Sequence, residues 1–162
     1  MRVSVYPDAR VVVTVPRFFS ALTLQRFLGK HAAWIQRAVG RTKDKRVIRL
    51  ARKDIPALKK RAEAYLGARC AYFAALYGVQ FKKISIRTQR SRWGSCSRSG
   101  NLSFNYKIAA LPERVADYII VHEICHLLHM NHSKTFWDAV AQVVPEHREI
   151  RKELRNTVIV FR

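Results

Sequence analysis

Acidic residues are scarce in this 162-residue chain: 11 Asp and Glu stand against 31 Lys and Arg, which leaves a formal charge of +20. A surface so one-sided attracts polyanions such as nucleic acid, nucleotides, acidic proteins or anionic lipid heads, although charge alone names no partner. Cysteine is also sparse. Cys70, Cys96 and Cys125 are odd in number and form no Cys-x-x-Cys pair. That excludes a disulfide framework and makes a reducing cytoplasm the expected location. Apolar runs stay short of the roughly 18 residues a membrane span needs. The opening Met-Arg-Val-Ser-Val-Tyr-Pro-Asp alternates as a strand does and lacks the apolar centre of a signal peptide. Internal repeats, low-complexity blocks, a Gly-rich phosphate loop and a carboxylate cluster suited to Mg²⁺ are all missing.

What remains is a chain that is 49% hydrophobic and 10% aromatic, enough for one folded domain of mixed α and β structure. Residues 2–6 and 10–15 read as Val-rich strands joined at Pro7-Asp8. A helix opened by Ser20 or Thr23 and closed at Gly40 follows, with Leu24, Phe27, Leu28, His31, Trp34, Ile35 and Ala38 on its apolar face. The stretch 41–53, dense in Lys and Arg, links it to a long helix. Asp54 is the expected cap, Pro56 lies in its first turn, Gly78 lies just past its end, and Leu58, Ala62, Tyr65, Leu66, Tyr72, Phe73 and Leu76 mark its apolar face.

Period two then takes over. Lys83 to Arg87 reads as a strand, and so does Asn101 to Ile108, with Leu102, Phe104, Tyr106 and Ile108 on one side. The segment from Gln89 to Gly100 reads as a basic loop around Trp93. A helix starting near Pro112-Glu113 becomes apolar on nearly every side from Tyr118 to Leu128, which predicts burial in the middle of the domain.

On that buried helix lies His122-Glu123-Ile124-Cys125-His126. Helical residues four apart share a face, so two imidazoles can take neighbouring corners of a tetrahedral metal site. Glu123 stands beside the first of them, near the metal without binding it, where a carboxylate can take a proton from activated water. A catalytic zinc needs a third protein ligand and an open fourth position. His132 is the first candidate, provided the helix stops near Met130-Asn131. Asn131 suits a left-handed residue at that turn, and Ser133 suits the cap of a following helix faced by Phe136, Trp137, Val140, Val143 and Val144. Glu146, Glu149 and His129 are the other candidates for the third ligand.

The runs Arg87 to Ser97, Gly100 to Asn105, Val115 to Leu127 and Asn131 to Trp137 resemble the YgjP-like metal-dependent hydrolases, zincins related to the SprT-like proteins. The overlap is strongest over residues 84–145. The resemblance implies an α+β, zincin-like fold in which a small mixed or antiparallel sheet packs on the buried helix. It implies a single domain, with a hairpin and helices over 1–80 and a catalytic core over 81–162, and relatives with further sequence before the first hairpin. It implies Zn²⁺ held by His122, His126 and His132, Glu123 as general base, and a protein or peptide substrate. The ligand spacing equals that of metzincins, but position 129 is His where they have Gly, and Met1 and Met130 leave no downstream Met-turn. An edge strand lining the cleft should pair with extended substrate, and residues 101–106 are the candidate. Arg90, Arg92 and Asn105 are then candidate substrate-binding residues, with the arginines clamping substrate or stabilising an oxyanion. Two other readings stay open at this level: hydrolysis of a nucleoside triphosphate at the same metal, and a nucleic-acid-binding domain with structural zinc.

Overall fold

A computed structural model describes residues 1–43, 45–89 and 91–162. The chain forms two compact units, one of residues 1–49 with 155–161 and the other of residues 50–154 with Arg162. In the first unit, strands β1 (Arg2–Val5) and β2 (Val11–Thr14) form an antiparallel hairpin. Ala9 takes the left-handed conformation in its turn, φ 65°. Helix α1 (Ala21–Gly40) is capped by Ser20, whose Oγ accepts from the Thr23 N–H at 3.1 Å. Strand β3 (Arg46–Leu50) lies inside the basic stretch read as a linker, and it pairs with the C-terminal strand β7 (Thr157–Phe161).

The second unit opens on α2 (Ile55–Leu76). Asp54 holds the cap position but makes no capping hydrogen bond, because a single 3-10 turn over Arg52–Asp54 already leads into the helix. Leu58, Ala62, Leu66, Cys70, Phe73 and Ala74 recur at helical spacing and are buried. Tyr72 and Leu76, expected on that face, are both 56% exposed. Gly78 ends the segment in the left-handed conformation, φ 63°.

Strands β4 (Lys83–Arg87), β5 (Gly94–Cys96) and β6 (Asn101–Asn105) form one mixed sheet in the order β4-β6-β5. Strand β6 runs parallel to β4, Ile84 facing Leu102 and Ile86 facing Phe104, and antiparallel to β5, Gly94 facing Phe104. The strand read as the edge is therefore the central one, hydrogen-bonded on both sides, and the edges are β4 and β5. Nor does it run on to Ile108. The Oδ1 of Asn105 accepts from the Lys107 N–H at 3.1 Å and turns the chain into a 3-10 helix over Tyr106–Ala110.

Helix α3 (Glu113–Leu128) is buried along most of its length and packs on α2 and on β5. Asp117 ties it to α2, accepting from the Tyr65 hydroxyl at 2.7 Å and from both Nε and Nη2 of Arg69. That guanidinium also lies 4.7 Å from the ring centre of Phe73. Helices α4 (Lys134–Val143) and α5 (His147–Asn156) follow. The fold is α+β, with a small mixed sheet against a buried helix. Among the described residues no helix is long and apolar enough to cross a membrane.

Candidate metal centre

Helix α3 stops at Leu128, and His129 is extended at φ −135°, ψ 107°. The turn thus needs no left-handed residue: Ala9 is the only described residue other than glycine with positive φ, so Asn131 does not take the conformation expected of it. The chain returns through His132, and Ser133 starts α4 by accepting from the Phe136 N–H at 3.5 Å. This reversal brings a residue from outside the helix back beside His122.

His122, His126 and His132 offer ring nitrogens that all lie within 4.8 Å of one another. The Nε2 atoms of His122 and His132 are 3.0 Å apart. Nitrogens bound at ~2.0–2.1 Å to a tetrahedral ion would stand about 3.3 Å from each other, so the spacing fits a single ion. Glu146, Glu149 and the His129 ring are outside this group. His129 contributes its backbone instead: the Nδ1 of His126 lies 3.0 Å from the His129 carbonyl oxygen. Donation there fixes the proton on Nδ1 and leaves the Nε2 lone pair free for a metal.

Electrostatics favours the neutral form of His122 and His132. Burial, reinforced by His126, His132 and Arg151, pushes the His122 pKa down to about 3. His132 is also lowered, by burial and by the charges of His126 and Arg151. His122 Nδ1 is buried without a hydrogen-bond partner. A site that keeps imidazoles unprotonated and presents only nitrogen donors suits a borderline-soft divalent ion.

Aromatic rings pack around these histidines. Phe136, fully buried, stands 4.6–5.0 Å from all three imidazoles. Trp137 stacks on His132 with ring centres 5.6 Å apart and on His147 with centres 5.5 Å apart. Arg151 lies 5.0 Å from the Trp137 ring centre. No metal-site signal in the sequence marks Trp137 or His147, because an aromatic on a helix face reads only as core.

Glu123 is 7% exposed, and burial lifts its carboxyl to about 7 against the opposing pull of Arg92. Strand β5 lies directly over it: a Cβ on Gly94 would stand 2.7 Å from both Cγ and Oε1 of Glu123. Arg92 is exposed at the loop that leads into β5. Arg90 falls outside the described residues. Asn105 is 3% exposed, and its amide is committed to that loop, donating to the carbonyl oxygens of Gln89 at 2.6 Å and Arg92 at 3.3 Å. Cys125 is fully buried and Cys96 half-buried, its thiol raised to about 11 by burial and then by the Glu123 charge.

The chain is similar to known metallopeptidases. The metallopeptidase zymogen abylysin of Pyrococcus abyssi is similar in structure, with 26% identity and a TM-score of 0.50 over 57% of this chain and 99% of that one. The metallopeptidase zymogen jannalysin of Methanocaldococcus jannaschii shares the fold at 20% identity and a TM-score of 0.50, covering 56% of this chain and 93% of its own. No curated protein matches the sequence. The family model for the YgjP-like metallopeptidase domain matches residues 49–157, two thirds of the chain, which includes the three histidines, and the protein belongs to that family.

Proposed function

We propose that the protein is a zinc-dependent peptidase in which His122, His126 and His132 hold the ion and Glu123 is the general base. The observation that carries this reading is the convergence of three imidazoles beside one buried carboxyl. When bound, zinc acidifies water and polarises a carbonyl. The chain's own part is proton handling and alignment. As a water oxygen adds to the peptide carbonyl carbon, its proton passes to a Glu123 carboxylate oxygen. As the C–N bond breaks, Glu123 returns that proton to the departing amine nitrogen. A carboxyl whose pKa lies near 7 suits both halves of this cycle.

Substrate in extended form pairs with the edge strand β5, which runs past Glu123, and not with residues 101–106, whose strand is central. Arg92, exposed on the approach to that strand, is the candidate clamp for substrate carbonyl or carboxylate oxygens. Asn105 serves it indirectly, by holding the Gln89–Arg92 loop. The +20 charge adds attraction for acidic or nucleic-acid-bound substrates, and three free cysteines suit the cytoplasm.

The test is hydrolysis of an unstructured protein by the purified enzyme, with a nucleoside triphosphate offered in parallel. Cleavage of the polypeptide that stops with chelator and returns with zinc is expected. Release of phosphate from the nucleotide with the polypeptide left intact would overturn the reading.

A further inference from the structure

Gly94 differs from the chain's other glycines in what surrounds it. A Cβ at Gly29, Gly40 or Gly67 would meet nothing within 4 Å, and Gly78 and Gly100 are required for their positive φ. Gly94 has no such backbone requirement, yet a Cβ there would stand 2.7 Å from Cγ and Oε1 of Glu123 and 2.9 Å from its Cδ. Real Cβ atoms essentially never approach that closely, so one of the two partners would have to move. The strand has little freedom to do so. Asn105 N–H bonds to Trp93 O at 2.8 Å and Ser97 N–H to Asn101 O at 2.9 Å, which clamps both ends of β5 to β6. The root of Glu123 is equally fixed, on a helix whose neighbours Val121, Ile124 and Cys125 are fully buried. The movable part is the Glu123 side chain itself.

We propose that Gly94 is a positioning residue for Glu123: the bare backbone at this point lets the edge strand lie against the carboxyl and fixes where that carboxyl stands. The inference rests on Glu123 being the base of the proposed peptidase. Strand alternation explains why the burden falls on this residue. Gly94 and Cys96 face α3, whereas Ser95 between them faces away. Any side chain at 94 enters the space of the base, and a displacement approaching 1 Å at a reacting group can cost on the order of 100-fold in rate.

The experiment compares Gly94→Ala with Gly67→Ala, a glycine with open surroundings, and sets each in the wild-type and the Glu123→Ala backgrounds. In the wild-type background Gly94→Ala is expected to lower kcat about 10- to 100-fold. KM and bound zinc should stay unchanged. Its melting temperature should fall, and in the Glu123→Ala background, where the carboxyl is gone, that fall should vanish. Gly67→Ala should keep kcat. Unchanged kcat in zinc-loaded Gly94→Ala, or an equal loss of melting temperature in both backgrounds, would overturn the inference. The melting arm reads the contact without any substrate, so failure of the peptidase reading and failure of this one are distinguishable.

Discussion

His122 and His132 face each other Nε2 to Nε2 at 3.0 Å, although ten residues and the end of a helix separate them. In the metal-free protein a neutral ring with its proton on one Nε2 can bridge the two nitrogens, and burial disfavours any further proton there, so a cation entering the site displaces only that one. Zinc should therefore bind the folded state far better than the unfolded chain and raise its melting temperature. Linkage gives about 4 kcal/mol at a thousandfold excess over Kd. His132→Ala should abolish most of that gain. Calorimetry with and without zinc checks it, and an unaltered zinc shift in the variant would remove His132 from the ligand set.

Trp137 supports the most exposed of the three candidate ligands. His132 sits on the short connection between α3 and α4, and the indole stacked on it is backed by His147. Outer partners of metal ligands typically carry about 10- to 100-fold in affinity. Trp137→Ala should weaken zinc binding by about tenfold, and Trp137→Phe should recover part of the loss. Competition against a chromogenic chelator measures both.

The metal-free protein should show two opposite pH effects. The Glu123 carboxyl is raised to about 7 by burial, so its contribution to stability is fully present below the ordinary carboxylate value near 4.5 and is lost as pH rises through 7. His122 is lowered to about 3, so its contribution is present above the ordinary value near 6.5 and is lost as pH falls toward 3. Glu123→Gln should therefore stabilise the metal-free protein increasingly between pH 4.5 and pH 7, by a few kcal/mol at most. Denaturant melts across that range check the sign, and a benefit that shrinks with rising pH would contradict it.

Asp117 should matter for stability and not for the metal. It accepts from Tyr65 and Arg69 where α2 meets α3, on a different face of the helix from His122 and outside the histidine cluster. Removing it deprives three donor atoms and one charge of their partner, which costs about 2–4 kcal/mol. Asp117→Ala should unfold at lower denaturant and, where folded, bind zinc with the wild-type stoichiometry.

Much of the candidate site is legible in the sequence. His122, Glu123 and His126 follow from helix periodicity, because spacing of four needs only a helix to become a shared face. His132 needed a chain reversal, and the reversal is there, made by extended backbone at His129 instead of by Asn131. Strand β5 is not legible in the sequence because three residues, Gly-Ser-Cys, carry no apolar alternation; pairing with β6 defines them. Strand β3 was masked by the basic residues interleaved with Val47, Ile48 and Leu50. The sheet order is a tertiary fact, so nothing in the alternation of 101–105 could tell a central strand from an edge. Gly94 pressing on Glu123 joins residues 29 positions apart, and no local pattern encodes that contact.

In the proposed reaction Glu123 moves protons without holding the metal. Glu123→Gln keeps the size of the side chain and removes its basicity. Zinc content and peptide hydrolysis should be measured on the same preparation of that variant. The account predicts one zinc per chain, as in the wild type, with turnover lost by at least about 100-fold. Hydrolysis at the wild-type rate in a fully zinc-loaded Glu123→Gln protein would contradict it.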